Sequence, residues 1–274
     1  MKLEMISRHP AEEAHPVPLL FVHGAFADAA VWDVHFLPHF ADCGYRSHAF
    51  SLRGHGFSEG REQLPWHSLA DYVADLERVV SCFDRPPVLI GHSMGGMIIQ
   101  KFLEKNDATG VVLMASTPPH GLLASIVGMG VSNPLLLWQL ALIQQLGPGY
   151  GQPAILHQAL FSKNTPMHSV IDYAHLFGGE SVRVSLDMLG LNPLNPAKKP
   201  NVPMLVLGAE HDAFFSTGIV HDTARTYGVE ATTFSDMGHA MMLEREWRTV
   251  ADRILDWLTG CLATTAQPEP AISG

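Results

Sequence analysis

Apolar and polar positions follow two rhythms along this chain. Short continuous apolar runs, Leu19-Leu20-Phe21-Val22, Val88-Leu89-Ile90, Val111-Val112-Leu113-Met114 and Met204-Leu205-Val206-Leu207, read as strands buried on both faces. Tyr45 to Leu52 and Ala231 to Phe234 read as two more. Between them apolar residues recur at helical spacing: Trp32, Phe36, Leu37 and Phe40, then Leu69, Tyr72, Val73, Leu76, Val79, Val80 and Phe83, and finally Trp247, Val250, Ala251, Ile254 and Leu258 in a helix expected over Glu244 to Leu258. Another helix-like segment runs from Gly96 to Glu104. Ser68 followed by Asp71 forms a capping box that starts the second helix. Strands alternating with helices predict an α/β fold, with a mostly parallel sheet of about six to eight strands covered on both faces.

The alternation stops between Ser116 and Pro200. From Ala108 to Ser162, 55 residues, there is no Asp, Glu, Lys or Arg, although such residues make up 16% of the chain. Gly128, Gly130, Asn133-Pro134 and Gly147-Pro148-Gly149 divide this stretch into short helices. The expected organisation is a core domain in two parts, residues 1–116 and 201–262, a helical cap over 117–200, and a flexible tail over 263–274. A cap inserted there lies over the carboxyl edge of the sheet, where open α/β sheets bind ligands. The run Leu135-Leu136-Leu137-Trp138, with Leu140, Leu142 and Ile143, is too apolar for a helix facing water alone. It is expected to roof an apolar pocket, with Trp138, Phe26 and Met94 as walls. A subunit interface or plain core packing is the alternative.

Composition narrows the partners. A net charge of −10 and no cluster of Lys and Arg argue against nucleic acid. No apolar run approaches the ~18 residues of a membrane span, and the amino terminus lacks a signal-peptide pattern. Cys43, Cys82 and Cys261 are widely separated, which suits a reducing compartment. A soluble cytoplasmic protein without metal or other cofactor is expected. The oligomeric state is open.

The chemistry concentrates at three strand ends. Gly91-His92-Ser93-Met94-Gly95 sits where a buried strand turns into a helix, the context that exposes a nucleophilic serine. A serine hydroxyl needs a base, and the base needs an orienting group. His239 follows the last strand, and Asp212 follows the strand ending at Gly208. Glu210, Asp187 and Asp236 are weaker acids for the role. Strand alternation turns Glu210 away, Asp187 lies in the insertion, and Asp236 is only three residues before His239. His23, His92 and His211 neighbour these groups and read as structural.

These motifs together resemble the α/β-hydrolase superfamily, in its lid-bearing, esterase-like branch. The resemblance spans about residues 17–260 and rests on His23-Gly24-Ala25 with Trp32, Arg53-Gly54-His55-Gly56-Phe57-Ser58, Gly91-His92-Ser93-Met94-Gly95-Gly96, Gly208-Ala209-Glu210-His211-Asp212 and Gly238-His239-Ala240 through Glu244. It implies Ser93 as nucleophile, His239 as base and then acid, and Asp212 as orienter. It also implies an oxyanion hole from the backbone N–H groups of Ala25 and Met94. There are two departures from the pattern. Many relatives carry Asp where Ser51 stands, and the segment before Leu19 is short enough that the first one or two strands are expected to be missing or abbreviated.

Three functions compete on these residues. The first is hydrolysis of a small apolar carboxylic ester through an acyl-enzyme. The second is another reaction of the same triad: perhydrolysis of the haloperoxidase type, lactone opening, or C–C bond hydrolysis. The third is a non-catalytic receptor for an apolar ligand, which would have no need of all three triad groups. Serine at the turn argues against epoxide hydrolases and haloalkane dehalogenases, which need a carboxylate there.

Overall fold

A computed structural model describes residues 1–147, 149, 151–195 and 200–265. The apolar runs form seven strands: β1 Met5–Arg8, β2 Leu19–Val22, β3 Ser47–Phe50, β4 Val88–His92, β5 Gly110–Met114, β6 Met204–Ala209 and β7 Ala231–Phe234. Their order across the sheet is β1-β3-β2-β4-β5-β6-β7. Every pair is parallel except β1 with β3, where Met5 faces Phe50 and Arg8 faces Ser47. The segment before Leu19 thus does supply a strand. It is only four residues long and lies at the edge, where a partly polar strand meets water on one side.

Helices cover both faces. On one side α1 Ala30–Asp33, α2 Phe36–Asp42 and α11 Trp247–Thr265 pack with Phe21, Ile90, Val112 and Leu207 in one apolar cluster. On the other, α3 Leu69–Val80, α4 Met94–Phe102 and α10 Thr217–Tyr227 pack with Val22, Leu89, Leu113 and Val206. The capping box forms as the spacing predicts: Ser68 accepts from the Asp71 N–H, and Asp71 accepts from the Ser68 N–H. Helix α11 starts three residues later than the periodicity suggested, because Glu244 turns inward as an anchor instead of opening the helix. It also continues through Thr265, past the expected tail boundary at 263, and residues 266–274 lie outside the described residues.

Between β5 and β6 the described residues hold helices and no strand: α5 Leu123–Ser132, α6 Pro134–Leu146, α7 Pro153–Leu160, α8 Met167–Tyr173 and α9 Val182–Leu186. At Ser51 the missing carboxylate is supplied by another part of the chain. Glu4, just before β1, accepts the Ser51 hydroxyl at 2.6 Å and the Phe57 N–H at 3.0 Å, while Ser51 Oγ accepts the Ala29 N–H at 3.1 Å.

Candidate active site

The turn after β4 is the most constrained point of the chain. Ser93 has φ 52° and ψ −118°, a left-handed conformation that a non-glycine residue holds only under constraint. Three backbone bonds hold it. Its N–H donates to the Met114 carbonyl at 3.1 Å, and its carbonyl accepts from Gly96 at 3.0 Å and Thr117 at 3.1 Å. The flanking glycines let β4 and α4 approach this closely. A Cβ on Gly91 would lie 2.7 Å from the Gly95 carbonyl carbon, and one on Gly95 would run into the Val22 and His23 carbonyl oxygens. Ser93 Oγ forms no hydrogen bond to the described residues and faces a cavity of about 240 Å³.

His239 lines the same cavity. Its Nδ1 is 2.8 Å from Oδ2 of Asp212, whose side chain is fully buried. The other Asp212 oxygen accepts the N–H groups of Phe214 at 2.7 Å and Phe215 at 3.0 Å. Both rings pack against the His239 imidazole, at 4.7 and 5.6 Å between centroids. An Asp212 carboxylate fixed by two amides keeps the hydrogen on His239 Nδ1 and leaves Nε2 free to accept a proton. The weaker acids are engaged elsewhere. Glu210 accepts the Asp236 N–H, Asp236 is exposed, and Asp187 binds the Leu69 N–H and Arg183.

Two histidines beside the site are struts. His92 Nε2 donates to the His239 carbonyl at 2.9 Å, and burial first, then the neighbouring His239, holds its imidazole neutral, well below its ordinary pKa. His23 is pushed down to about 3, by burial and then by His55. Neutral, it donates from Nδ1 to the Gly24 carbonyl and accepts the Leu52 N–H at Nε2. That fixes the turn carrying Ala25. Ala25 and Met94 both line the cavity. Met94 opens α4, so its N–H has no partner within the helix.

Phe26 lines the cavity too. Trp138 does not. It is 60% exposed on the outer side of α6, while Leu140 and Ile143 of that helix face inward. The apolar run Leu135 to Ile143 surrounds the helix, and its one fully buried side chain is Leu136. The expected wall residue is therefore displaced around the helix. Among the described residues, none that lines the cavity is Asp, Glu, Lys or Arg, and no group of side chains is arranged to hold a metal.

Two carboxylates frame the site: Glu244, which closes the Gly238–Glu244 motif, and Glu180, which belongs to none of the motifs. Glu244 accepts the Gly238 N–H at 2.7 Å, just before His239, and also the Ser162 N–H and the hydroxyls of Ser162 and Thr165. Glu180 accepts the Phe26 N–H at 3.2 Å. Each ties the 117–200 segment to a loop of the core.

Residues 19–253 match the profile of the alpha/beta hydrolase family, and the chain belongs to that family. Among solved structures, an esterase from Thermogutta terrifontis superposes with a TM-score of 0.70 at 23% identity, covering 94% of this chain and 93% of that one. An esterase from Exiguobacterium antarcticum superposes at 0.74 with 17% identity, over 94% and 95% of the two chains. A Mycobacterium tuberculosis protein provisionally named a non-heme bromoperoxidase, BpoC, superposes at 0.74 with 21% identity, over 95% and 97%. In sequence, BpoC is 31% identical over 87 residues, only 31% of this chain and 32% of its own length. No helix among the described residues is long and apolar enough to cross a membrane.

Proposed function

We propose that this α/β-hydrolase cleaves small apolar carboxylic esters with Ser93, His239 and Asp212 as its catalytic triad. The observation that carries the reading is the convergence of a strained serine and an Asp212-oriented histidine on one cavity whose described lining holds no Asp, Glu, Lys or Arg. Ser93 Oγ attacks the ester carbonyl while His239 Nε2 takes its proton. The developing oxyanion sits against the N–H groups of Ala25 and Met94, where each donor is worth roughly 3–4 kcal/mol of barrier. His239 returns the proton to the departing alcohol. A water activated by His239 then releases the acid and restores Ser93.

On this reading the helices of 117–200 act as a cap. Leu140 and Ile143 of α6 and Leu156 of α7 line an acyl site whose other side is Phe26 and Met94. Each buried methylene contributes up to about 0.8 kcal/mol. kcat/KM for p-nitrophenyl esters is expected to rise about two- to fourfold per added CH₂ until the cavity is full, with Ser93→Ala as the blank. Acetate esters outpacing butyrate and hexanoate esters would exclude an acyl site here. Ser93→Ala and His239→Ala should each lower kcat by about 10⁴–10⁶, and the double variant little further. Losses that add would show that the two residues do not act as a unit.

The likeness to BpoC favours a second reading on the same triad. Hydrogen peroxide would intercept the acyl-enzyme in place of water, releasing a peracid that oxidises bromide. Bromination that needs peroxide, carboxylate and Ser93 together would establish it.

A further inference from the structure

The backbone of Phe26 is held by two bonds from the far end of the helical insertion. Phe26 has φ 64°, a left-handed conformation that a bulky residue adopts only when its surroundings impose it. Its carbonyl accepts the Gly178 N–H at 2.6 Å, and its own N–H donates to Glu180 Oε2 at 3.2 Å. We infer that Glu180 is a positioning residue. Its carboxylate clasps the Phe26 peptide and so sets the direction of the neighbouring Ala25 N–H, which makes the insertion a builder of the oxyanion hole as well as its roof. The inference rests on the hydrolase reading above.

Ala25 is held from both flanks. On one side, the His23-Gly24 turn is tied to Leu52 through the His23 ring. On the other, the Phe26 peptide is tied to Gly178 and Glu180. Releasing either flank lets the Ala25 N–H swing away from the point where the oxyanion forms.

A buried carboxylate is a costly clasp, since an unpaired charge inside a protein loses several kcal/mol of hydration. Glu180 is fully buried yet well supplied with donors. Oε1 accepts the Tyr72 hydroxyl at 2.9 Å and the Ser181 N–H at 2.6 Å, and Oε2 accepts His55 Nε2 at 3.2 Å besides Phe26. Burial alone would push this carboxyl up, but the His55 charge and the hydrogen bonds outweigh it and hold it below its ordinary value. For His55, burial pushes down, and the Glu180 charge and hydrogen bond prevail, leaving the imidazole raised. His23, Asp28 and Tyr72 also face this pair, with Arg53 and Asp75 behind it. A lone carboxylate behind an oxyanion hole would oppose the charge forming there. The His55 partner, whose pKa is raised by the Glu180 charge, offsets that opposition, so the clasp fixes the loop at little electrostatic cost to the oxyanion.

The test compares wild type, Ser93→Ala, Glu180→Ala and Glu180→Gln by ester turnover and by labelling of Ser93 with a fluorophosphonate. In labelling, Oγ bonds to phosphorus, the P–F bond breaks, fluoride departs, and the serine proton passes to His239. The phosphoryl oxygen takes the oxyanion's place. Glu180→Ala is expected to lower kcat and the labelling rate together by about 10- to 100-fold, with KM within about twofold, since only the transition state uses the hole. Glu180→Gln keeps an oxygen for the Phe26 N–H but loses the charge that pairs with His55, and should lose about three- to tenfold in kcat. A folded Glu180→Ala protein with wild-type kcat, or one whose loss lies wholly in KM, overturns the inference and leaves the hydrolase reading intact. If Glu180→Ala does not fold, Glu180→Gln decides: a kcat loss above about threefold at unchanged KM supports the inference, and a smaller loss overturns it. Absence of any Ser93-dependent turnover or labelling in wild type overturns both readings.

Discussion

Replacing Asp212 with Asn should reverse the tautomer of His239 while leaving the loop in place. The Phe214 and Phe215 N–H groups, at 2.7 and 3.0 Å, both point at Oδ1. In the variant they select the amide oxygen for that position. The NH₂ is then left facing His239 Nδ1, which sits 2.8 Å from Oδ2 in the native chain. The opposite amide orientation would sacrifice two hydrogen bonds of about 1 kcal/mol each and set donor against donor. Nδ1 must therefore accept, the imidazole hydrogen moves to Nε2, and the nitrogen facing the cavity no longer takes a proton from Ser93. This change in a protease triad lowers kcat by about 10⁴, or about 5.4 kcal/mol of barrier. Stability should suffer far less. Three bonds to a charged acceptor become neutral ones, a loss of about 1–3 kcal/mol or about 2–8 °C in Tm. The assay is steady-state hydrolysis of p-nitrophenyl butyrate, with active-site titration to exclude traces of wild type at that depth of loss. A folded Asp212→Asn protein that loses less than tenfold would refute the tautomer argument.

Other outcomes follow from the same geometry. The Glu180–His55 pair should make stability depend on pH in a defined window. Glu180 is lowered from 4.5, so its contribution is complete above that value and is lost as pH falls through its folded pKa. His55 is raised from 6.5, so its contribution is complete below that value and is lost as pH rises through its folded pKa. The Tm difference between wild type and Glu180→Gln should therefore peak between about pH 4.5 and 6.5 and shrink on both sides; a difference that is flat from pH 3 to 9 would contradict the pair. In α6, Ile143→Trp should shorten the preferred acyl chain, whereas Trp138→Ala should leave the chain-length profile unchanged. The same profile for both variants would place the acyl group elsewhere.

Much of this architecture is legible from local patterns. Continuous apolar runs mark the buried parallel strands, and the Ser68–Asp71 spacing marks the start of α3. Ser93, Asp212 and His239 stand out because each lies within about five residues of the end of a strand that the pattern marks. What escaped notice lacks a local signal. Met5–Arg8 is too short and too mixed in polarity to announce an edge strand. Leu135 to Ile143 is apolar all round, so the pattern carries no azimuth, and Trp138 faces out where it was expected to face in. Glu180 and Glu244 act across 108 residues to Tyr72 and 82 residues to Ser162, distances over which no sequence period reports. For Glu180 a signal existed only in contrast: it is the one acid between Asp172 and Asp187, set between Gly179 and Ser181.

The uncharged lining has a consequence for the end of the reaction. If the substrate is an ester, as proposed, cleavage turns a neutral molecule into a carboxylate, and the described lining offers that anion no lysine or arginine. Burying an unpaired carboxylate is expensive, and the chain around it carries a net charge of −10. The walls that welcome the ester thus reject the acid derived from it. On that reading the change of charge favours product release, and accumulated acid should inhibit the enzyme far less than the corresponding uncharged alcohol or amide.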